Sequence, residues 1–120
     1  MKKKILVVED EPITALSMSD LLEVWGYKTC EPASTAQEAI ARTEEEKPDI
    51  ILMDINLKSD INGIEAAKWL RSRFGVQVIF ITGYIDEYIR KEAELAEPVG
   101  YLVKPLDFTL LKSILEEVLL

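Results

Sequence analysis

The sequence predicts an α/β fold, a doubly wound, five-stranded parallel sheet with five helices. Two observations predict it. Short, continuous apolar runs of the kind that form strands covered on both faces alternate with segments of helical periodicity. The alternation continues through all 120 residues, and no repeat, low-complexity tract or Pro/Gly/Ser linker divides it. That length supports one core rather than two, so residues 1–120 read as a single domain.

The elements follow in order. Ile5 to Val8 is the first apolar run. Pro12 suits the first turn of a helix, where its missing N–H matters little. Met18, Leu21, Leu22 and Trp25 share a helical face, and Gly26 stands where that helix stops. Tyr27 to Cys30 reads as a short second strand. Thr35 with Glu38 forms a capping box for a helix through Ala36, Ala39 and Ile40. Glu44, Glu45 and Glu46 are its solvated end, and Pro48 breaks it. Ile50 to Met53 is the third strand. Ile64, Ala67, Trp69 and Leu70 mark a third helix, closed near Gly75. Val78 to Ile81 is the fourth strand, and a helix from about Asp86 to Ala96 follows. Tyr101 to Val103 is the last strand, and Asp107 caps a helix whose Phe108, Leu111, Leu115 and Val118 share a face.

Composition excludes several functions. Fourteen basic against 22 acidic residues leave a formal charge of −8, which argues against a phosphate-binding face for nucleic acid. No apolar run approaches the roughly 20 residues of a membrane span. Lys2-Lys3-Lys4 precedes an apolar stretch far too short for a signal peptide. One cysteine, Cys30, forbids an intrachain disulfide and fits a reducing cytoplasm, where it reads as a packing residue. With no histidine there is no Ser-His or Cys-His pair and no His-ligated metal. Chemistry is left to carboxylates, hydroxyls, lysines and a hard cation.

In a doubly wound sheet, ligands sit outside the carboxyl ends of the strands. Those ends carry Glu9 and Asp10, then Asp54, Thr82 and Lys104. Singly, each has a bland reading: a helix-capping acid, a loop aspartate, a turn threonine, a solvated lysine. Together at one edge, three carboxylates repel one another and call for a cation. An all-oxygen donor set points to Mg2+ first, with Mn2+ or calcium next. Metal, lysine and hydroxyl make a receptor for a tetrahedral dianion, and a carboxylate beside them can accept a phosphoryl group as an acyl phosphate.

The segments "ILVVEDEP", "IILMDINL", "NGIEAA", "VIFITG" and "GYLVKPLD", in this order and spacing, resemble the response-regulator receiver domains of two-component signalling, which are similar to the chemotaxis response regulator and have a flavodoxin-like fold. The resemblance implies a phosphorylation-dependent switch rather than an enzyme acting on other substrates. It makes Asp54 the phosphoacceptor and Asp10 a direct magnesium ligand, with Glu9 acting mainly through water. Asp54 and the backbone carbonyl of Asn56 complete the protein's share. It also implies that Thr82 hydrogen-bonds the phosphoryl group, that Lys104 ion-pairs with it, and that Tyr101 turns inward with Thr82 as the switch. The Lys104–Pro105 bond resembles the family's cis peptide. The implied partners are a sensor histidine kinase or phosphotransfer protein as donor, and an output protein or domain. The face of the fourth helix, fifth strand and fifth helix would signal, or form a dimer.

This chain departs from the common pattern in two places. Lys58 stands where many receivers have proline, and "DINLKSDING" is one residue longer than the commonest version. Both lie in the loop over the site and leave the five core residues intact. Three other readings are weaker. A phosphatase of the haloacid dehalogenase type would need an acid where Asn56 stands. A decayed interaction module does not fit the intact acids and lysine. A nucleotide-binding fold would need a Gly-rich loop after the first strand. The chain ends on its last helix with no DNA-binding segment, as expected of a stand-alone receiver or of one cut from a longer protein.

Overall fold

The computed structural model describes residues 2–58, 61–84 and 86–120. The elements are β1 (Lys4–Val8), α1 (Pro12–Val24), β2 (Lys28–Thr29), α2 (Ala36–Glu46), β3 (Ile50–Asp54), α3 (Gly63–Phe74), β4 (Gln77–Thr82), α4 (Glu87–Glu94), β5 (Gly100–Val103) and α5 (Phe108–Val118). The strands pair in the order β2-β1-β3-β4-β5, all in parallel. The order reverses between β1 and β3, and there the connections leave a crevice at the carboxyl edge.

Strand alternation sorts the core into two layers. Leu6, Val8, Ile51, Met53, Val78 and Phe80 face one side, where Ala36, Ala39, Ala67, Leu70 and Ala93 of α2, α3 and α4 cover them. Ile5, Val7, Ile50, Leu52, Ile79 and Ile81 face the other, under Met18 and Leu22 of α1 and Leu111 and Leu115 of α5. β3 is buried on both faces along its whole length. Its continuous apolar run is a consequence of that double cover.

Local signals set the helix ends. Pro12 occupies the first turn of α1. Thr35 Oγ1 accepts from the Glu38 N–H at 3.1 Å, but the Glu38 carboxylate accepts from the N–H and hydroxyl of Ser34, so the box closes one residue earlier than expected. Asn62, Asp86 and Asp107 cap α3, α4 and α5 through their side chains, each cap contributing about 1 kcal/mol. α3 ends on Gly75 at φ 69°, a left-handed turn that suits glycine.

Several boundaries and faces differ from the sequence reading. The ladder of β2 holds only Lys28 and Thr29, opposite Lys4 and Ile5. Tyr27 and Cys30 are apolar because they pack on opposite layers, not because they extend the strand. α4 is shorter than expected: Asp86 is its cap, and it ends at Glu94. Trp69 is 45% exposed. It lies about 100° around the helix from Leu70, and Ala66 takes the inward position instead. Phe108 is 48% exposed because it opens α5 beyond the end of the sheet. Leu21 and Trp25 are only partly buried, and Ala15 and Ser19 complete the inner face of α1. Among the described residues, no helix is long and apolar enough to cross a membrane.

Candidate functional site

β1 and β3 are neighbours in register, with Val8 opposite Met53, so their next residues emerge side by side. Glu9, Asp10 and Asp54 offer ligand oxygens that all lie within 4.8 Å of one another. Glu9 is 7% exposed and Asp54 6%. Burying like charges this closely is costly, and local bonds offset part of that cost. Lys104 Nζ donates to Glu9 Oε1 at 2.9 Å and stands 3.7 Å from Asp54 Oδ2. The Asn56 N–H donates to Asp54 Oδ1 at 2.9 Å. The Lys58 N–H donates to Asp10 Oδ2 at 3.1 Å, tying the following loop back to the first strand's acids. Ser59 and Asp60, within the Asp54 to Gly63 stretch read as one residue longer, lie outside the described residues.

Titration follows this crowding. Burial, then the neighbouring Asp54, raises the Glu9 carboxyl above its ordinary value of 4.5 against the opposing pull of Lys104. Burial alone would lower the Lys104 ammonium, but its bond to Glu9 and the charges of Asp54 and Asp10 raise it instead. At neutral pH the lysine is therefore held charged among the acids.

Thr82 ends β4 and is 1% exposed. Its backbone carbonyl accepts from the Lys104 N–H at 2.7 Å, which brings Lys104 to the site from β5. Its hydroxyl oxygen accepts from Asn56 Nδ2 and from the Tyr84 N–H, each at 3.2 Å. The Lys104–Pro105 peptide is cis. Tyr101 stands apart from this cluster. It pairs with Phe80, two residues before Thr82, and Arg90 lies over its ring at 5.5 Å from the centroid. Its hydroxyl is buried without a hydrogen-bond partner among the described residues, and burial raises its pKa.

The structure thus brings together Glu9, Asp10, Asp54, Asn56, Thr82 and Lys104 and leaves Tyr101 one strand away. Two features escaped the sequence reading. One is the Asn56 side chain, valued there only for its backbone. The other is Gly63, where a Cβ would collide with the Asp54 carbonyl and come within 2.9 Å of Ile55 Cα. A glycine opening a helix just past a strand-end acid was the available signal. Beside the cluster a largely apolar cavity of about 340 Å³ opens between Ile13, Met18 and Leu21 of α1 and Pro105, Leu106 and Phe108.

A strand-end acid, two further carboxylates, a lysine and a buried hydroxyl thus meet at the carboxyl edge of a parallel sheet of order 2-1-3-4-5. Residues 5–116 match the response regulator receiver domain family, and the chain belongs to it. Over 120 residues it is 32% identical to the phyllosphere-induced regulator PhyR of Methylorubrum extorquens, covering 99% of this chain and 44% of that protein. It is 34% identical over 110 residues to the polar-differentiation response regulator DivK of Brucella ovis, covering 83% of this chain and 88% of that one. Among solved structures, the CheY-like receiver domain protein of Methanospirillum hungatei superposes with a TM-score of 0.88 at 32% identity, covering 98% and 94% of the two chains. The chain spans about half the length of several curated relatives it matches, PhyR among them. It is a receiver domain of two-component signalling with the five-stranded, five-helix receiver fold.

Proposed function

We propose that Asp54 accepts a phosphoryl group from a phosphohistidine on a sensor kinase or phosphotransfer protein, and that the aspartyl phosphate changes a protein-interaction surface. The observation that carries this reading is the packing of buried Asp54 against Glu9, Asp10 and Lys104, with Thr82 reached through Asn56. With no histidine among residues 1–120, the donor imidazole lies outside them. The largely apolar cavity beside Lys104 offers the donor a surface next to Asp54.

The all-oxygen, three-carboxylate set fits a hard divalent cation, Mg2+ or Mn2+. Asp10, Asp54 and the Asn56 carbonyl would hold it, with Glu9 acting through water. Once bound, the ion neutralises charge on the transferring phosphoryl oxygens. Asp54 supplies the electron pair. One of its oxygens bonds to phosphorus as the bond from phosphorus to the donor nitrogen breaks, and that nitrogen keeps its pair. Lys104, already charged and 3.7 Å away, pairs with a phosphoryl oxygen. Thr82 donates its hydroxyl to another. The product carries roughly two negative charges, and the movement of Thr82 and Lys104 toward it biases Tyr101 and the α4-β5-α5 face.

On this reading residues 1–120 act in the cytoplasm as one unit whose only catalysis is its own phosphorylation and dephosphorylation. The unit contacts a donor and an output protein or domain, with a dimer through the same face as one form of output. Acetyl phosphate with magnesium should add one labile phosphoryl group, seen by intact-mass spectrometry and absent in Asp54→Ala. An adduct that survives Asp54→Ala, or forms equally well in chelator, would sink the reading.

A further inference from the structure

We propose that Asn56 is a positioning residue whose side-chain amide fixes the direction of the Thr82 hydroxyl proton. This rests on the phosphoacceptor reading of Asp54 and extends it to the donor that greets the incoming group. A hydroxyl has one proton to give and two lone pairs with which to accept. Both lone pairs of Thr82 Oγ1 are engaged, by Asn56 Nδ2 and by the Tyr84 N–H. Among the described residues, the proton is the one function left uncommitted.

That matters because of what surrounds it. Thr82 is 1% exposed, so bulk water does not set its rotor. With its lone pairs free, the hydroxyl could turn its proton toward a neighbouring acceptor and meet a phosphoryl oxygen with lone pairs facing lone pairs. The amide of Asn56 blocks that orientation. Its backbone is held as well, because its own N–H donates to Asp54 Oδ1 at 2.9 Å. One short residue therefore fixes the nucleophile through its main chain and the hydroxyl through its side chain. A donor aimed in advance need not reorganise when charge arrives. Aspartate at this position has the same length but no N–H to give. It would accept the Thr82 proton that the phosphoryl group requires.

The experiment has two arms. The first uses no ligand: the Asn56 side-chain amide protons are compared by NMR in the intact chain and in Thr82→Val. The proton bonded to Thr82 should move upfield in the variant. An unchanged resonance overturns the proposal, because it means the amide does not donate to the hydroxyl. The second arm measures beryllofluoride affinity in magnesium for the intact chain, Asn56→Asp, Thr82→Val and the double variant. Asn56→Asp adds a charge in both backgrounds, so only the difference between them reports on the hydroxyl. The substitution should weaken binding on the order of tenfold more when the hydroxyl is present than in Thr82→Val. Equal weakening in the two backgrounds overturns the proposal and leaves a charge effect alone. If the intact chain takes no label at Asp54, the phosphoacceptor reading falls, while the first arm still decides the polarity at Thr82.

Discussion

The middle of the sheet and its carboxyl edge are one residue apart and obey opposite rules. From Ile50 to Met53 every side chain is buried and apolar, as are Val78 to Ile81 in the next strand. At the next position Asp54 and Thr82 are just as buried and polar, and Glu9 is their counterpart after β1. The interior gains stability from each side chain it hides. The edge gives some back, because its acids crowd one another around a single lysine. A site of this kind can exist only beside an interior firm enough to carry it.

The interior should be the easier region to break. Phe80 is fully buried at the centre of its layer, so Phe80→Ala should cost about 3–5 kcal/mol, seen as a lower urea midpoint with little change in slope. Gly63→Ala tests the seam between the regions. Its new methyl group meets main chain rather than a yielding side chain. A loss of about 1–3 kcal/mol is expected, with a displaced Asp54 carbonyl and slower labelling by acetyl phosphate. Normal stability and normal labelling would show that the seam gives way freely.

The edge should respond in the other direction. Without metal, Asp54→Asn relieves repulsion and should raise stability by about 1 kcal/mol, while magnesium should raise the melting point of the intact chain by mass action. The pH dependence in chelator sharpens this. The pKa of Glu9 is raised in the folded chain, so its contribution to stability is fully present below pH 4.5 and is lost as pH rises through the raised value. The melting point of the intact chain relative to Glu9→Gln should therefore fall from pH 4.5 toward neutrality. Lys104 works in a separate window: its raised pKa favours the fold at neutral pH and is lost only above 10.5. A flat difference between the two chains would remove the cost assigned to the acids.

The smallest effect belongs to a polar atom inside the apolar region. The Ser19 hydroxyl is buried on α1 without a hydrogen-bond partner among the described residues. Ser19→Ala should stabilise by on the order of 0.5–1 kcal/mol, measurable by urea unfolding.

The sheet was legible in the sequence because burial on both faces leaves an unbroken apolar run, as β3 and β4 show. The edge strand β2 was legible but not its extent, since Tyr27 and Cys30 owe their apolar character to packing on different layers. Helical periodicity likewise placed Trp69 and Phe108 inside, but it cannot register where a helix overhangs its sheet. Trp69 instead packs edge-on to Phe74 at 6.0 Å, under Arg73. At the site, the strand-end positions of the acids, Thr82 and Lys104 were readable from residue types alone. The Asn56–Thr82 bond spans 26 residues, from the turn after β3 to the end of β4, and no local pattern encodes it.

Gly63 also governs how the protein can change over time. The chain leaves β3 at Ile55, and Gly63, the first residue of α3, donates its N–H to the Ile55 carbonyl at 3.1 Å. That bond closes the two ends of the segment together one residue past the end of β3. Loop-closure entropy grows slowly with length, about 0.6 kcal/mol per doubling. Length can therefore be added beyond Lys58 at little cost, while Asn56 and Lys58, bonded to Asp54 and Asp10, stay tied to the site. The surface above the site is free to diversify toward new partners while the chemistry beneath keeps its address.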